Sequence, residues 1–161
     1  MQYNIFMNVN LINLPKNNEI CNFLQKTKYE IFNKNYIKNN ISNKILNIDY
    51  LIITSNCIYV FQDKWYNYGL LNDKIHNFLD DINILYNISK MAIYVIYLSK
   101  NKLSFLNQKQ IDKVNNPMIK FITCYNNNIS LLLNKLMEVL YTLEYPLFIY
   151  DNDDSIIMFN N

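Results

Sequence analysis

Apolar and polar residues alternate through Tyr3, Ile5, Met7, Val9 and Leu11, the period of an extended chain, and the alternation stops before Pro15. Asn17 or Asn18 can then cap a helix running to about Phe32, with Ile20, Phe23, Leu24, Tyr29, Ile31 and Phe32 as its apolar stripe. A polar Asn-Lys stretch follows and holds a short predicted strand near Tyr36–Ile37. The segments 45–54 and 57–65 are apolar on both faces, which predicts a hairpin of two internal strands. Beyond a Tyr66–Asn72 loop, with Asn72 as cap, Ile75, Phe78, Leu79, Ile82, Leu85 and Ser89 share one helical face. Met91 to Leu98 is an unbroken apolar run that reads as a buried central strand. A helix over 104–114 ends before Pro117, a strand spans 118–124, and an amphipathic helix spans 130–143. Short strands at 147–150 and 155–159 complete the pattern.

If Ser55-Asn56 is a two-residue turn, residue 54 pairs with 57 and the register carries Asp49 opposite Gln62. Side chains alternate along a strand, so Lys64 shares the face of Gln62. One carboxylate, one amide and one ammonium then meet at the same end of a sheet. In a regular strand Asp63 points to the other face, and a bulge would turn it back.

The 161 residues suit a single domain, with a core over about 18–143 and peripheral extended segments at 1–16 and 145–161. Arginine is absent, and abundant Lys, Asn, Ile, Tyr and Phe are what an AT-rich genome writes. A net charge of +2 does not announce a polyanionic partner, although local clustering of lysines can still serve one. With Gly69 as the one glycine, neither a P-loop nor a dinucleotide-binding fingerprint can be written. With His76 as the one histidine, His-rich zinc sites are excluded. Cys21, Cys57 and Cys124 lack paired ligand spacing, which argues against a disulfide framework and for a reducing compartment. No apolar run approaches a bilayer span, so an intracellular, soluble protein without membrane association is expected.

The segment Asn47-Ile48-Asp49-Tyr50-Leu51-Ile52, followed by Val60-Phe61-Gln62-Asp63-Lys64-Trp65, resembles the PD-(D/E)xK nuclease superfamily, and within it the Mrr-like restriction endonuclease domains. Asn47 stands where that family usually has Gly, and Gln62 is the form typical of the Mrr-like branch. The resemblance implies an α/β, restriction-endonuclease-like three-layer fold. Its central mixed β-sheet would be flanked by helices in the order α-β-β-β-α-β-α-β-α. It implies a Mg²⁺- or Mn²⁺-dependent endonuclease hydrolysing DNA phosphodiester bonds, alone or as a module beside a helicase or other DNA-processing partner. Asp49, Gln62 and Lys64 would be catalytic. The metal would be held by Asp49, Gln62 and Asp63, the last through its backbone carbonyl, or through its side chain if the strand is bulged. The helical acid of the family falls on Glu19 or Glu30, with Glu19 carried over.

Magnesium takes hard oxygen ligands and keeps several waters, so one firm carboxylate with weaker oxygens can hold it. Lys64 would orient or help deprotonate the attacking water and offset phosphate charge. The alternative function is a nuclease-fold module that binds DNA or serves a structural role without cutting, motivated by the missing second carboxylate. A third is an α/β protein unrelated to nucleic acid. Trp65 and Tyr66 read as packing aromatics, with base stacking as the functional alternative. His76 reads as a solvated or packed residue, with phosphate contact as its alternative. Lys74, Lys100 and Lys102 can border the active face, Asp151 to Asp154 reads as a solvated turn, and the 130–143 stripe as core or a homodimer contact.

Overall fold

The computed structural model describes residues 18–27, 29–66 and 75–143, together with the backbone of two short strands at 148–150 and 156–158. In chain order the elements are α1 (Glu19–Gln25), β1 (Phe32–Asn33), α2 (Lys34–Asn40), β2 (Tyr50–Ile53), β3 (Cys57–Asp63) and α3 (Ile75–Ser89). These are followed by β4 (Ala92–Ser99), α4 (Phe105–Asp112), β5 (Ile119–Tyr125), α5 (Ile129–Thr142), β6 (Phe148–Tyr150) and β7 (Ile156–Met158). Five strands form one mixed sheet in the order β1-β2-β3-β4-β5, antiparallel from β1 to β3 and parallel from β3 to β5. β6 and β7 pair with each other as a separate antiparallel ribbon.

Helices cover both faces of the five-stranded sheet. Ile20, Cys21 and Leu24 of α1 and Leu132, Leu136 and Leu140 of α5 pack on Tyr59, Phe61, Ile96 and Leu98. Phe78, Leu79, Ile82 and Leu85 of α3 and Ile111 of α4 pack on Ile58, Val60, Val95 and Tyr97. Adjacent strand residues thus serve opposite layers, which is why β3 and β4 read as continuous apolar runs. As expected from those runs, β2, β3 and β4 are internal strands.

The first helix is shorter than the stripe predicts. The Thr27 hydroxyl donates to the Leu24 carbonyl at 2.7 Å and closes it, and Ile31 and Phe32 then enter opposite core layers, as in an extended chain. Tyr36–Ile37, expected as a strand, lies in α2, because the Asn33 side chain accepts from the N–H groups of Asn35 and Tyr36 and starts a helix there. The strand is the two residues before it, so a short helix separates β1 from β2. The extended segment at 1–16, Gly69, the Asn72 cap, Lys74 and Asp151 to Asp154 lie outside the described residues.

Candidate functional site

The β2–β3 hairpin turns at Ser55–Asn56, and Thr54 holds the turn. Its hydroxyl accepts from the Cys57 N–H at 3.0 Å and donates to the Cys57 carbonyl at 2.9 Å, while the Thr54 N–H reaches the same carbonyl. The register that follows pairs Tyr50 with Phe61 and Ile53 with Ile58, so Asp49, one residue before β2, stands opposite Gln62. Gln62 aligns in turn with Tyr97 on β4, and Tyr97 with Thr123 on β5. Alternation places Asp49, Gln62, Lys64 and Tyr97 on the face covered by α3 and α4, at the end of the sheet where β3 and β4 finish.

The peptide of Asn47 anchors this group. Its N–H donates to the Asp81 carboxylate of α3 at 2.7 Å. In the amide orientation that satisfies both ends of Gln62, Nε2 donates to the Asn47 carbonyl at 3.1 Å and Oε1 accepts from Lys64 Nζ at 3.2 Å. Gln62 is fully buried, so an amide left unpaired there would be costly. It acts as a strut between the approach to β2 and the Lys64 ammonium. Asp49 is fastened separately, its Oδ2 accepting from the Asp63 N–H at 2.8 Å.

That bond also orients the Asp63 peptide. In an extended residue the N–H and C=O point to the same side, so the Asp63 carbonyl faces the Asp49 side of the strand. The Lys64 N–H points the other way, to the Leu98 carbonyl at 2.8 Å, which continues the regular β3–β4 pairing. β3 has no bulge at this point. The Asp63 side chain therefore lies on the α1 face, where Oδ2 accepts from Asn18 Nδ2 at 3.0 Å and Oδ1 from the Trp65 N–H at 3.1 Å. The Asp63 carboxylate is thus turned to the face opposite Asp49, and only its backbone carbonyl faces the Asp49 side. Asn18 caps α1 with its other end, Oδ1 accepting from the Cys21 N–H at 3.0 Å.

Burial pushes the Asp49 carboxyl above the usual carboxylate range, opposed by the Asp63 N–H and by the charges of Lys64 and Lys34. Asp63 is likewise raised by burial, opposed by Asn18, the Trp65 N–H and Lys64. The Tyr97 hydroxyl is pushed up to about 12, first by burial and then by the charge of Asp49. Tyr97 therefore stays a neutral phenol beside the carboxylate.

Other expected residues fall elsewhere. Glu19 is not brought to the Asp49 group: its carboxylate accepts from the Tyr66 hydroxyl, and its backbone N–H donates to the same oxygen at 3.1 Å. Helix α1 packs on the opposite face of the sheet, which explains the different partner. Trp65 packs against that layer as well, its Nε1 donating to the Asn126 carbonyl at 2.9 Å and the Lys100 ammonium lying 4.4 Å from its ring centre. His76 is exposed on the first turn of α3.

Asp81, Tyr97 and Lys34 were missed by reasoning from sequence. Asp81 carried a signal, since it sits three residues after Phe78 and four before Leu85, on the buried stripe of its own helix. Tyr97 and Lys34 carried none, because the sequence does not say which β4 residue aligns with Gln62 or where α2 begins.

Among the described residues no three His, Cys, Asp or Glu side chains cluster as a metal site. The hard oxygens nearest one another here are the Asp49 carboxylate, the Asp63 carbonyl and the Gln62 amide oxygen, the last already accepting from Lys64 Nζ. Such a set fits a magnesium-like ion that keeps several waters, and does not fit zinc. Among the described residues no helix is long and apolar enough to cross a membrane. No family model matches the chain, and no curated protein or solved structure proves similar to it.

Proposed function

We propose that the protein is a metal-dependent deoxyribonuclease of restriction-endonuclease-like fold. The observation that carries this reading is the convergence of Asp49, Gln62 and Lys64 on one face at one end of the sheet, with the Asp63 carbonyl turned toward Asp49. The sheet supports it too, with an antiparallel β1-β2-β3 meander continuing into parallel β4 and β5. Asp49, the Asp63 carbonyl and the Gln62 amide oxygen would hold Mg²⁺ or Mn²⁺, which when bound supplies Lewis-acid charge relief at the phosphate. Lys64 delivers positive charge beside Asp49 and, anchored on Gln62, is placed to orient the attacking water and steady the negative charge that develops on phosphate oxygen. Tyr97, a neutral phenol in the same row, can donate a hydrogen bond without competing for a proton.

Incubation with plasmid, linear and branched DNA in the presence of Mg²⁺ or Mn²⁺ tests this function. Cleavage abolished by chelation and reduced about a hundredfold or more in Asp49→Ala and Lys64→Ala supports it. Cleavage that survives both substitutions sinks it.

A second reading, a nuclease-fold module that binds nucleic acid without cutting, is favoured by one observation. Gln62 has both ends of its amide satisfied within the protein, by Asn47 and by Lys64, where an active site would want an oxygen available to the metal. Binding without cleavage under every metal condition would establish that reading. A helicase or similar partner would be compatible with either.

A further inference from the structure

The five-stranded sheet has one long open edge. β1 bounds it on one side with two residues and turns at once into α2, whereas β5 bounds the other with seven. The register shows which backbone groups of β5 face outward. The Ile93 N–H donates to the Met118 carbonyl and the Asn126 N–H to the Ser99 carbonyl. Even-numbered residues of β5 therefore turn their N–H and C=O to β4, and odd-numbered ones turn theirs away. At the two ends the outward groups are taken, the Ile119 N–H by the Asn116 carbonyl and the Tyr125 carbonyl by Lys135 Nζ at 3.1 Å. Between them, from the Ile119 carbonyl to the Tyr125 N–H, the outward groups have no backbone partner among the described residues. Such a row is a template for another strand.

The edge is also a groove. Phe121 and Ile122 lie on opposite faces of β5, and both line a cavity of about 600 Å³ with Tyr94, Lys120, Thr142 and Leu143, so the space wraps round the strand. Helix α5 overhangs it. Lys135 reaches across to Tyr125, Thr142 lies two turns further along the same side, and Leu131, one turn before Lys135, is exposed.

Residues 3–11, which lie outside the described residues, carry a pattern suited to this place. Tyr3, Ile5, Met7, Val9 and Leu11 alternate with Asn4, Asn8 and Asn10, as in a strand with a helix on one face and solvent on the other. The chain can also reach. Asn18 is fixed at the end of β3 by its bond to Asp63, and Asp63 aligns through Leu98 with Cys124 near the end of β5. A strand beside β5 lies three strand spacings from β3, about 14 Å. The stretch from Leu11 to Asn18 spans up to about 23 Å. That suffices for a strand parallel to β5 with Leu11 at the Cys124 end, whereas the antiparallel orientation would use nearly the whole span.

Handedness selects β5 over the other edge. α3 and α4 lie in one layer and join strands that advance from β3 to β5, while α1 lies in the opposite layer and leads to β1, which runs parallel to β5. From a parallel strand beyond β5, the crossover through α1 to β1 reverses both direction and layer, so it has the same hand as β3-α3-β4 and β4-α4-β5. From a parallel strand outside β1 it would reverse the layer alone and take the opposite hand, and nearly all such crossovers share one hand.

We infer that residues 3–11 add a sixth strand, parallel to β5, in the groove between the β5 edge and α5. This strand closes the edge against other copies of the chain and leads directly to Asn18, which caps α1 and holds the Asp63 carboxylate. Neither metal nor cleavage chemistry enters the placement.

Hydrogen exchange of the full-length protein, read peptide by peptide, tests it. Amides of residues 3–11 and the outward amides of Phe121, Thr123 and Tyr125 should be protected together. The double substitution M7P/N8P removes whichever of two adjacent N–H groups turns to β5. It should speed exchange in both segments about tenfold or more while the 58–63 amides of β3 keep their protection. Val9→p-benzoylphenylalanine should photocrosslink within the chain to 119–125 or 131–142, a readout that needs no destabilised variant. Unprotected amides at 121–125 in the wild type, or crosslinks confined to 32–40 beside β1 or to 148–158, overturn the proposal. Crosslinks between isotopically light and heavy copies also overturn it, since the edge would then hold a strand from a second molecule.

Discussion

The Asp49 carboxylate accepts a 2.8 Å hydrogen bond from the backbone N–H of Asp63, doing with a side chain what the next rung of the β2–β3 ladder would have done with a carbonyl. The carboxylate is thereby held at the strand end before any ligand arrives. Asp49→Asn keeps an acceptor for that N–H and removes only the charge. It should fold with an unchanged or higher melting temperature at neutral pH and lose cleavage about a hundredfold or more. Asp49→Ala, which strands the N–H, should in addition lose about 1–3 kcal/mol in denaturant titration.

Stability should fall as pH rises out of the acid range. Burial raises Asp49 and Asp63 in the folded state, so the folded chain holds these protons more firmly than the unfolded one. Below the ordinary carboxylate range both states are protonated and the contribution is fully present; it is lost as pH climbs through the raised folded values. Thermal melts across that window should show the decline, and Asp49→Asn should flatten part of it. Added Mg²⁺ should restore stability at neutral pH but not in acid, because it binds the ionised carboxylate.

Asp81 is a positioning residue. Its carboxylate holds the Asn47 N–H at 2.7 Å, and the Asn47 carbonyl in turn holds Gln62. Asp81→Ala should cost about 1–3 kcal/mol of stability. It should also reduce cleavage with little change in DNA affinity, a split that separate measurements of turnover and binding would reveal. Asp81→Asn, which can still accept from Asn47, should recover most of both.

Gln62→Glu separates the working enzyme from the non-cutting module. A second carboxylate on this face should tighten Mn²⁺ or Mg²⁺ binding in calorimetry about tenfold or more. The same substitution removes the donor to the Asn47 carbonyl, so the metal-free variant should melt lower than wild type. A variant that gains metal affinity and cleavage would identify Gln62 as the limit on activity. Unchanged metal affinity would argue that no ion binds there.

The elements whose signal is local were legible along the chain. The α3 stripe, the Met91–Leu98 run and the amphipathic stripe of α5 each follow from a repeat or an unbroken apolar run within a few residues. The register of Asp49 against Gln62 was legible too, because a two-residue turn fixes pairing down both strands and the turn lies only a few residues from the site. The end of α1 and the start of α2 were not. Thr27 and Asn33 stop and start helices through the hydrogen bonds of one side chain each, which the apolar pattern around them does not encode.

By itself, then, the sequence determined an α/β chain with a hairpin that brings Asp49, Gln62 and Lys64 to one face. Only the tertiary structure decided what each of these residues touches. Asp81 reaches Asn47 across 34 positions, Asn18 claims the Asp63 carboxylate across 45, and Tyr66 takes Glu19 across 47. Such contacts depend on how helices seat on the two faces of the sheet, and periodicity within one segment carries no information about the segment it will meet.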